Sequence, residues 1–452
     1  MVGMPTTTTQ QLTTSGATTR SKPQRATVPS VADLAAATKS DRNRAVDFYR
    51  AAAMVAVAVG HWAAIAIAVG PDGDLVTGNA LEFAPSMSWI TWLFQVMPLF
   101  FVVGGFSSAV SLDSHLSKDG RPQDWVAARL RRMAAPATVL AGTWLTIIGV
   151  GFALGVGELA TAAAVAAAIP LWFLANYTID TAIAPWLYPA FRRNPAIVAS
   201  LGVAAFGILE LLRLDGHHTI AQLNWVIGWL LFQVAGFAWR EGFLPKGRAM
   251  TATAGLLWSA AIAAVVGPYP MTMVHVPGIE NSPTHPPSLA LMLFGAAYSA
   301  TALAAAPRIS RALGERPRAW AGVVAANAVS LSVYLWHFTA ATIAAAVFYA
   351  LGMLPTAVVG TGAWWLQKLP MMALSAIVLA GIVAVVGRFE QRALLAPRTP
   401  WRGGAASMLA TAALISGSVK LWSLGSGMGV VAGTSLLLVV WFGAMRSTTV
   451  TP

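Results

Sequence analysis

An apolar stretch, DFYRAAAMVAVAVGHWAAIAIAVG at residues 47–70, carries three groups able to do proton or phosphate chemistry. Asp47 and Arg50 open it, and His61 sits midway. In a helix, the eleven residues from Arg50 to His61 advance about 16 Å and turn about 1100°, so the two side chains lie about 20° apart in azimuth. Asp47, three residues before Arg50, falls on the same face. A line of polar groups then runs from one membrane surface to mid-bilayer. A free imidazole titrates at about 6.5 and can act as a base at neutral pH. Arg50 also has a plainer reading as a snorkelling anchor, and His61 as a helix-packing hydrogen bond. That reading is weaker for His61, because ionisable groups inside a membrane are rare and usually face a functional cavity.

The elements that must position these groups follow from composition. The chain is 57% hydrophobic and 10% charged, against about 25% charged in soluble domains. Apolar runs of membrane-crossing length recur at 50–70, 88–112, 134–155, 158–176, 195–213, 222–240, 250–267, 288–306, 321–350, 368–388, 405–425 and 428–445. The expected fold class is all-α, a polytopic integral membrane helical bundle. Residues 1–43, rich in Thr, Ser, Lys and Arg, are expected to be a disordered tail. No signal peptide precedes the first run, so that run is expected to stay as a helix.

The net charge of +12 raises a nucleic-acid reading, but its distribution answers otherwise. With twelve helices, only Arg213, Lys368 and Lys420 of the 29 Lys and Arg residues fall away from the side holding both termini. Such asymmetry places the termini in the cytoplasm and makes nucleic acid an unneeded partner. The absence of cysteine excludes disulfides, thiolate metal sites and a Cys nucleophile. His275 and His285, near Glu280 in the Pro-rich loop at 268–287, make a poor metal set, so no metal is expected.

The motifs and their order resemble the acyltransferase-3 family of integral membrane O-acyltransferases. RAVDFYRAAAMVAVAVGHW is similar to its first helix, an Arg, ten residues and a His, with an Asp before. MPLFFVVGGFSSAVSL at 97–112 resembles its second helix, with Gly104 standing where the family usually has Ser. ARLRRMAAP at 128–136 resembles its Arg-rich entry to helix three, LWFLANYTIDTAIAPWL at 171–187 its Leu-Trp-Phe-Leu segment, and NAVSLSVYLWHFTA at 327–340 its Tyr-Leu-x-His helix. The resemblance implies a ten-helix domain at 44–392, with two further helices in 393–452. It implies transfer of an acyl group, often acetyl, from cytosolic acyl-CoA to a hydroxyl of a cell-envelope glycan or glycolipid in a bacterial plasma membrane. It makes His61 the essential base, with Arg50 and Asp47 its motif partners.

Arg50 and the cluster Arg129, Arg131 and Arg132 suit the phosphates of CoA, because guanidinium matches phosphate geometry. Positive-inside anchoring explains that cluster equally simply. Phe100, Phe101, Tyr334 and His337 are further pocket candidates, and Asn327 an interhelical hydrogen-bonder. The rival reading is a twelve-helix secondary transporter. Against it stand the short link REGFLPKGR between helices six and seven and the lack of a repeat between the halves.

Overall fold

Inside a bilayer the backbone must satisfy its own polar groups, so apolar runs close into helices. The computed structural model describes residues 31–39, 42–279 and 282–394. The helices expected at 405–425 and 428–445, and residues 1–30 of the tail expected to be disordered over 1–43, lie outside these residues, and Val31–Ala36 of that tail forms a helix instead. Short α1 (Val31–Ala36) precedes α2 (Arg44–Ala64), α3 (Met97–Leu116) and α4 (Pro122–Ala153). Then come α5 (Gly157–Ala168), α6 (Leu171–Arg193), α7 (Pro195–Leu214) and α8 (Asn224–Glu241). The series closes with α9 (Arg248–Val266), α10 (Leu289–Glu315), α11 (Pro317–Ala328), α12 (Ser330–Ala350) and α13 (Gly362–Leu394).

Among the described residues, 8 helical segments are long and apolar enough to cross a membrane. They match all of the first ten expected runs except those in α2 and α4. Asp47, Arg50 and His61 dilute the apolar run of α2, and in α4 the described apolar stretch, Val139–Ala153, is shorter.

Four expected boundaries are corrected. The run at 50–70 is not one helix: α2 stops at Ala64, and β1 (Ile65–Val69) pairs antiparallel with β2 (Leu75–Asn79), Ile65 opposite Asn79 and Val69 opposite Leu75. The sequence IAIAV alternates, burying Ala66 and Ala68, as a half-covered strand does. A helix end leaves carbonyls without partners, and Lys368 takes two of them. Its Nζ donates to the carbonyls of Ala63, at 2.8 Å, and Ile65. This fully buried ammonium also lies 4.3 Å from the ring centre of Trp364 and 5.3 Å from that of Trp365. Carbonyls and indole faces together offset its desolvation.

The run at 88–112 begins instead as a 3-10 turn and one short helix, and regular helix starts only at Met97. The run at 158–176 breaks before Leu171, after Pro170, and continues to Arg193. The run at 321–350 divides at Val329, where the Ser330 hydroxyl takes the Asn327 carbonyl at 3.0 Å and competes with the helix ladder.

Packing is tightest between α3 and α8. A Cβ on Gly105 would lie 2.1 Å from the Gln233 carbonyl oxygen, and one on Gly236 2.1 Å from that of Val102. The two backbones therefore touch, the close approach that small residues permit in membranes. Phe101 fills the space beside them, stacked 4.9 Å from Trp229.

Candidate functional site

At the Arg-rich end of the bundle a cavity of about 1140 Å³ opens between α2, α3, α4, α6 and α12. Its lining carries Lys39, Arg42, Arg50, Arg129, Arg132 and Arg240, with Asp47 as its one described carboxylate. Met54, Phe100, Phe173, Tyr177 and Tyr334 contribute apolar and aromatic wall. Cations around an apolar slot suit a ligand with a phosphorylated head and a less polar arm.

The sequence put Asp47 beside Arg50, but the carboxylate belongs mainly to a residue before the helix. Arg42 donates to both Asp47 oxygens, at 2.7 and 2.8 Å, whereas Arg50 stands 4.0 Å away. Those hydrogen bonds hold the Arg42 guanidinium above its ordinary pKa. Asn327 on α11 donates to the Asp47 carbonyl at 2.8 Å, the interhelical bond expected of it. Arg50 donates to Ser107 Oγ at 2.6 Å. Arg129 reaches the same turn of α3, donating to Ser111 Oγ at 2.5 Å and to the Ser107 carbonyl at 3.4 Å, with Trp125 4.5 Å beneath it. Two guanidiniums on different helices thus converge on Ser107, whose neutral oxygens bring no countercharge; for Arg50 the nearest carboxylate is Asp47, at 4.0 Å.

Gly104, where the resemblance leads one to expect Ser, is covered by Tyr177. A Cβ there would lie 2.8 Å from Tyr177 Cε2 and 3.4 Å from its hydroxyl. The ring occupies that space on the cavity wall.

Deeper in the bundle, α2 and α12 bring two histidines together. His61 Nδ1 lies 2.8 Å from His337 Nε2, and the rings stack with centres 5.0 Å apart. His337 Nδ1 lies 2.5 Å from the Tyr334 carbonyl. A carbonyl only accepts, so that nitrogen carries the proton and Nε2 of the neutral ring is bare. His61 Nδ1 must then donate to it, which leaves His61 Nε2 as the unprotonated nitrogen of the pair. Trp62 Nε1 donates to the His337 carbonyl at 2.9 Å and clamps the helices at this level. His337 is fully buried, whereas His61 keeps part of its surface accessible.

Neither imidazole lines the cavity. Its wall reaches Met54, seven residues before His61 on α2, and Tyr334, three before His337 on α12. The Tyr334 ring packs 5.8 Å from that of His337, and its hydroxyl donates to the Pro170 carbonyl at 2.7 Å.

Of the expected site residues, Asp47, Arg50, Phe100, Arg129, Arg132 and Tyr334 meet on the cavity wall. Phe101, expected in the pocket, is a core residue instead, 1% exposed, because its side of α3 faces Trp229. The side chain of Arg131 lies outside the described residues. The sequence reading missed Arg42, Ser107, Ser111 and the buried Asp180, whose Oδ2 has no hydrogen-bond partner among the described residues. Only Asp180 carried a usable signal, a carboxylate in an apolar run.

At the opposite end, His275 and His285 do pair, with ring centres 4.3 Å apart. Burial, then the charge of His275, pushes His285 down to about 3. Among the described residues no three His, Cys, Asp or Glu side chains converge as a metal site would need.

A family model for an acyltransferase domain, that of acyltransferase-3, matches residues 43–386. No curated protein matches the chain, and no solved structure does.

Proposed function

Because the chain belongs to the acyltransferase-3 family, and is therefore a membrane acyltransferase, we propose that it moves an acyl group, such as acetyl, from acyl-CoA to a hydroxyl of an envelope glycan or glycolipid. The observation that carries this reading is the cavity: a cationic rim leads into an aromatic slot that ends about one helical turn from His337 on α12 and two from His61 on α2. Arg50 and Arg129 hold the donor's phosphates. The acyl arm extends past Met54 and Tyr334 towards His61, about 16 Å along α2 from Arg50.

There the acceptor oxygen bonds to the thioester carbonyl carbon as its proton passes to His61 Nε2. The tetrahedral intermediate collapses, the carbon–sulfur bond breaks, and His61 returns the proton to the departing thiolate. The products are the ester and free CoA. His337 fixes the tautomer that keeps His61 Nε2 bare, and the hydrogen bond it accepts strengthens as His61 becomes charged. Positive-inside asymmetry supports a cytoplasmic rim in a plasma membrane, so donor and acceptor approach His61 from opposite faces.

The test is acyl transfer in sealed vesicles of known orientation, read as free thiol and as ester on extracted glycolipid. Acetyl-CoA is expected to work only from the Arg-rich face. Equal work from both faces, or no thiol release, contradicts the reading.

A further inference from the structure

The chain just before α2 precedes the matched domain, which starts at residue 43, yet it walls the basic cavity. Lys39 and Arg42 line it. The strap they sit on is pinned against α10 and α11. Trp320 donates to Thr38 Oγ1 at 2.9 Å, and Ser310 Oγ donates to Asn43 Oδ1 at 3.2 Å while accepting from the Ala45 amide at 3.0 Å. Exposure orders the cations by depth: the Arg42 side chain is 54% accessible and that of Arg50, two helical turns further in, 27%. Arg42 takes both Asp47 oxygens, leaving Arg50 only the looser 4.0 Å contact, and the Lys39 ammonium has no carboxylate partner among the described residues.

We propose that this strap is a phosphate clamp outside the family domain: Lys39 at the rim, beside the Arg42–Asp47 pair, holds a phosphate monoester, while Arg50 and Arg129 take a pyrophosphate deeper in. The assignment rests on acyl-CoA being the donor, since CoA carries both groups, its ribose 3′-phosphate lying further from the thioester than its pyrophosphate. It makes the residues before α2 part of donor recognition.

The experiment compares binding of ADP and of its 3′-phosphorylated form to the purified full chain in neutral-lipid nanodiscs. The wild type is expected to favour the 3′-phosphorylated nucleotide by about tenfold, the size of one charge-assisted contact. Lys39→Ala removes that preference and Lys39→Glu reverses it, with ADP affinity little changed. Lys39 is exposed, so neither variant threatens the fold. Equal binding of the two nucleotides by the wild type, or a preference that survives Lys39→Glu, overturns the clamp. A Lys39 effect seen only in anionic nanodiscs assigns the lysine to lipid headgroups and also overturns it. Because binding rather than turnover is read, a chain that shows the preference but releases no thiol from acyl-CoA keeps the clamp and loses the proposed reaction.

Discussion

Arg213 on α7 and Arg129 on α4 are both guanidiniums inside an apolar bundle, but their surroundings differ. Arg213, 4% exposed, donates to both oxygens of Glu210 at 2.8 and 2.9 Å. Glu210 also accepts from Tyr269 at 2.7 Å and from the Leu289 amide at 3.0 Å. Burial, then the bond to Glu210, pushes Tyr269 up to about 12, so it stays a donor. Charge and hydrogen-bonding capacity are met within the chain, and the network ties α7 to the loop at 267–288 and to the start of α10. Arg129 meets serine oxygens and shares the cavity with Tyr177, Arg50 and Arg132. The first arrangement meets its charge within the chain, and the second leaves Arg129 without a carboxylate partner among the described residues. Counting cations per region does not separate the two; asking where each charge is compensated does.

The largest effect should come from breaking the compensated pair. Arg213→Leu leaves Glu210 buried without its counter-ion, a loss of about 3–5 kcal/mol, read as a fall in Tm or loss of monodisperse protein. Arg129→Leu removes an uncompensated charge, so Tm should hold while donor affinity falls. Equal destabilisation by both changes would dissolve the distinction. A smaller effect sharpens it: Arg50→Lys keeps the charge but loses the planar fork, and donor KM should rise about tenfold. A silent swap would return Arg50 to the role of an anchor.

The smallest effect concerns the loop at 267–288. His285 titrates at about 3 when folded and near 6.5 when free. The depressed folded value means that the opened loop binds more protons, so the loop's closed state is favoured above pH 6.5 and loses ground as pH falls from there towards 3. Hydrogen exchange of its amides should quicken on acidification, and His285→Phe should flatten that dependence. A pH-independent loop would show that the packed ring is not titrating.

The helical bundle and its polar line were legible because few sequences place a histidine and arginines in runs this apolar, and because helical spacing fixes one face of α2. What stayed hidden depended on contacts distant in sequence or on short, ambiguous runs. Ile65–Val69 is only five residues of alternating Ile and Ala, which continue a helix or form a strand equally well until Lys368 takes the Ala63 and Ile65 carbonyls. The His61–His337 bond joins residues 276 apart, and nothing local to either marks its partner. Arg42 escaped notice because it precedes the apolar run, where a basic residue looks like ordinary anchoring. Phe101 misled because the two adjacent phenylalanines of α3 face different ways, one to the cavity and one to Trp229.

The central claim is that His61 Nε2 takes the acceptor's proton while His337 holds the tautomer. The most direct measurement is turnover with saturating acetyl-CoA for wild type, His61→Ala, His337→Gln and His337→Leu, each shown to accumulate in the membrane. His61→Ala should lose about 10²–10⁴-fold. His337→Gln, whose amide oxygen can still accept from His61 Nδ1, should retain more activity than His337→Leu, which cannot. A fully active His61→Ala protein, or Gln and Leu variants indistinguishable at position 337, would contradict the account.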